Sequence, residues 1–307
     1  MRIVSLLPSA TEMVCALGLA DDLVGITHEC DYPESVKAKP VLIESCLGPD
    51  YHKLSPREID ARIRESMQKG EGTYRFKPGG LETAKPDVVL TQGLCDVCAV
   101  PHSFVVKEIS RLKLDPILIS LDPQDLSGII TDIRRVGEAT GRIDEAGELC
   151  DRLEERIGEV AGRTREIDSA SRPRVAVIEW TDPIFAAGHW VPEMVELAGG
   201  TDCLAPAGEP SQVVEWDKVR AAKPEILVLS PCGYDLPKAQ SELPLLQKLP
   251  GWSELPAVKN GKVFVLDANA TLSRSGPRIV DGLEALAQII RPDLFPTPSQ
   301  HPLWVKA

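Results

Sequence analysis

No window of 18 apolar residues occurs in this sequence, so no segment reads as a membrane span. No secretory leader is evident either. The opening apolar run stops at Pro8, well short of a signal-peptide core with a small-residue cleavage site. Basic residues are outnumbered: Lys+Arg is 34 against 46 Asp+Glu, a net charge of −12. A surface this acidic disfavours non-specific nucleic-acid binding and docking on anionic membrane. Aromatics make up only 5%. There is no glycine-rich phosphate loop, because the first strand leads into Pro8-Ser9-Ala10. A P-loop lysine and a nucleophile elbow with a Ser-His-Asp set are missing too.

What remains is an ordinary globular composition, 43% hydrophobic and 26% charged, over 307 residues, enough for two domains. The eight cysteines are many for a chain without an export signal. Starting at Met1, the sequence is expected to be cytoplasmic with reduced thiols; in a processed form it would be periplasmic.

Short apolar runs alternate with helical patterns, which argues for parallel sheets covered on both faces. Strands are expected at residues 3–7, 23–27, 88–91 and 117–120, then at 174–178, 226–229 and 263–266. Ser9 with Glu12 has capping-box spacing and predicts a helix over about 10–18. A final helix is expected over about 277–290, with Pro277 in its first turn. Ala84-Lys85-Pro86-Asp87-Val88-Val89-Leu90 is echoed by Ala222-Lys223-Pro224-Glu225-Ile226-Leu227-Val228, and Arg2-Ile3-Val4 by Arg174-Val175-Ala176. The halves therefore read as a repeat, the first carrying about 34 extra residues within 44–78. In that insertion Ser55-Pro56 starts a helix whose apolar stripe would be Leu54, Ile59, Ile63 and Met67. Between the halves lie helices over 126–139 and 144–167. Leu149, Leu153, Ile157 and Val160 form a stripe on the second, which at 1.5 Å per residue would be a strut roughly 36 Å long.

Two α/β lobes, each built on a mainly parallel Rossmann-like sheet and joined by one long backbone helix, are thus expected. The bounds are 1–122 for the first lobe, 123–168 for the linking helices and 169–307 for the second lobe. Ile3-Val4-Ser5-Leu6-Leu7-Pro8-Ser9-Ala10-Thr11-Glu12 resembles the opening strand and helix of the helical-backbone (class III) periplasmic substrate-binding proteins. Val24-Gly25-Ile26-Thr27 with Asp31-Tyr32-Pro33, Ala187-Gly188, Leu197-Ala198-Gly199-Gly200-Thr201 and Gly276-Pro277-Arg278-Ile279-Val280-Asp281-Gly282-Leu283 are similar to later segments of that family. The opening looks most like the vitamin B12-binding and iron-siderophore-binding members. The resemblance runs to about Pro292. It implies a monomeric binding protein without catalysis, holding a cobalamin-like corrinoid or an iron or other metal chelate in a cleft between lobes. An ABC transporter permease would be its partner. The insertion, the missing leader and a thiol pair in Gln92-Gly93-Leu94-Cys95-Asp96-Val97-Cys98 depart from the family pattern.

Ligands of open α/β sheets bind at the carboxyl ends of the strands. Those ends nominate Pro8, Ser9, His28, Cys30, Asp31, Gln92, Cys95 and Asp96 in the first half. In the second they nominate Trp180, His189, Trp190, Cys232, Tyr234, Asn269 and Arg274. Trp180 and Trp190 offer large apolar faces to a flat macrocycle, or pack as core or lid. His28 and His189 are candidate axial ligands to cobalt or iron, or hydrogen-bonding loop residues. Cys95 and Cys98 supply two thiolates to zinc or iron, with Cys30, Cys46, Cys232, His28, His102 or His189 completing the set. A redox pair and buried structural thiols are the other readings of that spacing. A cytoplasmic metal- or cofactor-handling protein or enzyme using this pair is the rival function. Cys15 and Cys150 lie in helical patterns and read as packing residues.

Overall fold

The computed structural model describes residues 1–48, 50–69, 72–93, 100–296 and 303–307. The chain forms two compact units. Unit 1 comprises Met1–Pro123 and Gly128–Asp151; unit 2 comprises Gln124–Ser127 and Arg152–Ala307.

Unit 1 opens with β1 (Ile3–Ser5), α1 (Pro8–Ala16) and β2 (Leu23–Gly25). The insertion then contributes β3 (Ile43–Ser45), α2 (Pro56–Gln68) and β4 (Tyr74–Phe76). Next come α3 (Gly80–Ala84), β5 (Val88–Thr91), α4 (His102–Leu112) and β6 (Ile117–Ser120). The sheet has the order β2-β1-β5-β6 and is parallel throughout. β5 is buried at all four positions, which fits its apolar run Val88-Val89-Leu90, and the buried Thr91 hydroxyl donates to Val100 O at 2.8 Å.

β3 and β4 pair antiparallel as a separate two-stranded sheet, Ile43 opposite Phe76 and Ser45 opposite Tyr74. The sequence gives this pair no periodic signal, since each strand is only three residues. α2 starts as expected, with Pro56 in its first turn, and adds a capping box: Ser55 Oγ accepts from Glu58 N–H, and the Glu58 carboxylate accepts from Ser55 N–H at 2.8 Å. Its stripe is narrower than expected. Ile59 is buried, Ile63 half-buried and Met67 exposed, with Ser66 buried in the last turn.

α5 (Leu126–Thr140) and α6 (Ile143–Thr164) follow. α6 has 22 residues, roughly 33 Å at 1.5 Å per residue, and carries the chain from unit 1 into unit 2. Leu149, Leu153 and Val160 are buried as the stripe predicted, with Ile157 half-buried.

Unit 2 contains β7 (Arg174–Thr181), β8 (Ile184–Ala186), α7 (Val191–Leu197), β9 (Thr201–Asp202) and β10 (Gln212–Val213). Then come α8 (Trp216–Ala222), β11 (Ile226–Leu229), α9 (Leu236–Gln247), α10 (Pro256–Lys259), β12 (Val263–Leu266), α11 (Ile279–Ile290) and β13 (Trp304–Lys306). The order is β10-β8-β7-β11-β12-β13, with β9 also on β7. β9, β7, β11 and β12 are parallel; β8, β10 and β13 add antiparallel edges absent from the sequence expectation.

Two helix starts differ from expectation. α1 begins with Leu7 as N-cap and Pro8 as first residue, so Ser9 lies inside the first turn and is not the cap. α11 starts at Ile279, after Pro277.

The internal echo has a physical basis. Lys85 and Lys223 both end a helix in the left-handed region, at φ 43° and 48°. Asp87 Oδ2 accepts from Arg2 N–H at 2.7 Å, and Glu225 Oε2 from Arg174 N–H at 3.0 Å. Arg2 Nε donates back to Ala84 O, and Arg174 Nε to Lys223 O. Each unit thus pins its first strand to the parallel strand beside it, β1 to β5 and β7 to β11, with the same lysine turn, acid and arginine.

Candidate functional site

In unit 1 the exit of β1 is filled by α1. Pro8 is half-buried, while Ser9 is buried. After β2, His28 and Asp31 are half-buried, but Cys30 is only 4% exposed. The Cys30 thiol lies 3.1 Å from Thr11 Oγ1 and 3.4 Å from Thr27 Oγ1. Thr11 in turn donates to Ser5 Oγ at 2.8 Å. This hydroxyl–thiol network turns Cys30 into the protein, contrary to its expected place at an open strand end.

His28 faces a carboxylate and two tyrosines. Its Nε2 lies 3.1 Å from Glu29 Oε1, which also accepts from Tyr51 OH at 2.8 Å. The His28 and Tyr51 rings meet edge to face at 6.2 Å, and Tyr74 lies tilted at 6.3 Å. His28 Nδ1 is buried without a hydrogen-bond partner among the described residues. Tyr51 and Tyr74 escaped the sequence reading. Their one signal was scarcity, four tyrosines in the chain, two of them in an insertion read for its charges.

After β5, Gln92 is buried; its carbonyl accepts from His102 N–H at 3.0 Å at the start of α4. Cys95, Asp96 and Cys98 lie outside the described residues. Among the described residues no group of three His, Cys, Asp or Glu side chains gathers as a metal ion would need. Cys15, Cys46, Cys203 and Cys232 are free thiols. Cys150 is fully buried and donates to Ile130 O at 3.6 Å, the packing role expected of it.

In unit 2 the loop after β8 carries Gly188-His189-Trp190. The backbone of Glu209, Pro210 and Ser211 comes so close to Gly188 that a β-carbon there would collide with it. His189 N–H donates to Glu209 O at 2.6 Å, and His189 O accepts from Gly208 N–H at 2.9 Å. These bonds hold His189 at φ 52°, a left-handed conformation that costs a side-chain-bearing residue energy and that clusters at functional sites. Its Nδ1 is buried without a hydrogen-bond partner among the described residues, and burial pushes the imidazole below its usual range. The ring therefore stays neutral at pH 7. It lies tilted against Trp190, 5.7 Å between ring centroids at 33°.

Trp190 does not offer a free face. It is 6% exposed and its indole N–H donates to Leu272 O at 2.9 Å. Trp180 is half-buried and packs on Tyr234 at 5.5 Å. Tyr234 is itself buried, its hydroxyl without a hydrogen-bond partner among the described residues, and burial raises its pKa. The neighbouring Glu242 is buried too, accepting from Thr181 Oγ1 at 3.1 Å, with Lys238 Nζ 3.4 Å away. Glu242 and Thr181 were not foreseen, because a glutamate inside a helical pattern reads as a solvated face. Cys232 is half-buried beside β7, its N–H donating to Glu179 O. Asn269 is half-buried and donates to Gly233 O at 3.2 Å. Arg274 is buried, so it is not an open contact.

The strand ends therefore separate the nominated side chains. Pro8, His28, Asp31, Trp180, His189, Cys232 and Asn269 remain partly open. Ser9, Cys30, Gln92, Trp190, Tyr234 and Arg274 are buried. No described helix is long and apolar enough to cross a membrane.

Two α/β units on mainly parallel sheets, with one long helix carrying the chain from the first to the second, define the architecture of the helical-backbone binding proteins. The sequence pattern of the periplasmic binding protein family matches residues 3–270, and the chain belongs to that family. It is 26% identical over 297 residues to an uncharacterized ABC transporter substrate-binding lipoprotein of Bacillus subtilis, covering 96% of this chain and 81% of the relative. It is 25% identical over 232 residues to a vitamin B12-binding protein of Yersinia pseudotuberculosis, covering 75% and 69%. Among solved structures, the periplasmic heme-binding protein of Roseiflexus sp. RS-1 superposes with a TM-score of 0.69 at 25% identity, over 94% of this chain and 97% of that one.

Proposed function

We propose that this protein is the ligand-binding component of an ABC-type uptake system, handing its ligand to a permease and holding it without turnover. The ligand class is a metal-centred macrocycle or chelate, with a cobalamin-like corrinoid first and an iron chelate such as haem second. The named ligands of the relatives support this class. One observation in the chain itself carries it: His189. A neutral imidazole, with an unpartnered ring nitrogen and a backbone fixed in a costly conformation, is suited to donate a lone pair to cobalt or iron. Pro8, His28, Asp31, Trp180, Cys232 and Asn269 are the further proposed contacts. Zinc or iron at Cys95 and Cys98 is no part of this reading.

The test is titration of the purified protein with cyanocobalamin, hydroxocobalamin and haemin, followed by absorbance and calorimetry. The expected result is a 1:1 complex with at least one, at about micromolar Kd or tighter. His189→Ala is expected to weaken it about tenfold and to shift the visible bands of the bound metal centre. Absence of binding to all three would overturn the ligand class.

A further inference from the structure

The Glu29 carboxylate ties the insertion of unit 1 to the loop after β2. Tyr51 OH donates to Glu29 Oε1 at 2.8 Å, and the same oxygen lies 3.1 Å from His28 Nε2. A neutral imidazole carries one ring proton. A carboxylate facing Nε2 draws that proton to Nε2, as carboxylates do behind ligand histidines. The lone pair is then on Nδ1, the nitrogen that is buried and lacks a hydrogen-bond partner among the described residues. A buried acceptor left unpaired is costly, and such groups call for an explanation in function. Tyr51 and Tyr74 both pack against the ring, at 6.2 and 6.3 Å between centroids. Both are supplied by the insertion, whose base is closed by the β3–β4 pair.

We propose that Glu29 and Tyr51 are positioning residues. They hold His28 in the Nε2–H tautomer, so that Nδ1 accepts a hydrogen bond from an uncharged donor on the bound ligand. Nδ1 in this tautomer has only a lone pair to offer, and Glu29 and Asp31 are acids of the same loop, so the position favours an amide or hydroxyl donor and disfavours a carboxylate. The insertion thereby selects amide-bearing chelates over carboxylate-bearing ones. This rests on the ligand-binding reading above.

Two measurements test it. The first needs no ligand: ring-nitrogen NMR of the full chain, with the His28 signals assigned by loss in His28→Gln. The wild type is expected to show the Nε2–H tautomer, and Glu29→Gln a mixture of the two. A wild-type ring protonated on Nδ1 would overturn the proposal. The second compares His28→Asn, which keeps a polar atom near the Nδ1 position, with His28→Gln, which keeps one near Nε2. With cyanocobalamin as probe, His28→Gln is expected to lose about tenfold in affinity, His28→Asn about threefold or less and Tyr51→Phe about fivefold. Melting temperatures read alongside separate these losses from misfolding. Equal losses in the two His28 variants would sink the claim for Nδ1. Failure of the wild type to bind cyanocobalamin counts against the ligand class, whereas the tautomer measurement judges the positioning by itself.

Discussion

Arg156 on α6 grips Glu284 on α11 with two parallel hydrogen bonds, Nε to Oε1 and Nη2 to Oε2, both 2.8 Å. Its Nη2 also reaches Asp281 Oδ1 at 2.6 Å. Both carboxylates push the guanidinium pKa up, Glu284 most. A lysine keeps the charge but cannot reproduce the fork. All three side chains are about one-third exposed, so water screens part of the attraction. Arg156→Lys is expected to destabilise the protein by about 1 kcal/mol in urea melts, and Arg156→Met by somewhat more. Unchanged midpoints would show the fork to be mere surface decoration.

Asp202 gives a pH signature of the opposite kind to a salt bridge. Burial pushes its carboxyl up to about 6, although it accepts from Leu204 and Ala205 N–H. A carboxyl whose folded pKa is raised contributes most stability while protonated. That contribution is present below the unfolded value near 3.8 and is lost as pH rises through about 6. Asp202→Asn keeps an acceptor for both N–H groups and cannot ionise. The variant should gain on the wild type by roughly 2 kcal/mol between pH 4 and pH 7 in denaturant melts. A constant difference across that range would contradict the assignment.

Gly188→Ala tests the loop that presents His189. The added methyl meets the backbone of Glu209 and Ser211, which cannot retreat as a flexible side chain would. The expected loss is about 2 kcal/mol of stability, with ligand affinity falling alongside. Full ligand affinity in a stable Gly188→Ala protein would detach His189 from the site.

Thiol chemistry checks the interior. Burial pushes Cys203 up to about 12 and Cys15 up to about 11, while Cys30 and Cys150 are buried. Thiolate is the reactive species, so all four should resist iodoacetamide at neutral pH in the native protein and react in denaturant. Peptide mass spectrometry reads this site by site. Rapid native alkylation of Cys203 would be inconsistent with its packing.

Strands β5, β6, β11 and β12 have the bounds expected from the sequence, because each is an apolar run opened by a helix-ending turn. The Lys-Pro-acid echo was legible because it is local: the acid and the lysine lie within three residues of one another. What escaped depends on distant partners. Trp190 looked available until Leu272, 82 residues on, took its indole N–H. Cys30 looked like a loop thiol until Thr11 and Thr27 enclosed it. Tyr51 gained meaning only from Glu29, 22 residues earlier. β8, β10 and β13 are two or three residues long, too short for alternation to register.

The β3–β4 pair sets Ser45 opposite Tyr74, so the chain leaves and re-enters the first lobe through adjacent doors. A segment with such neighbouring ends can be lengthened, shortened or exchanged without rerouting the strands on either side. The connection between β3 and β4 is thus a place where length and sequence can change while the sheet behind it keeps its register.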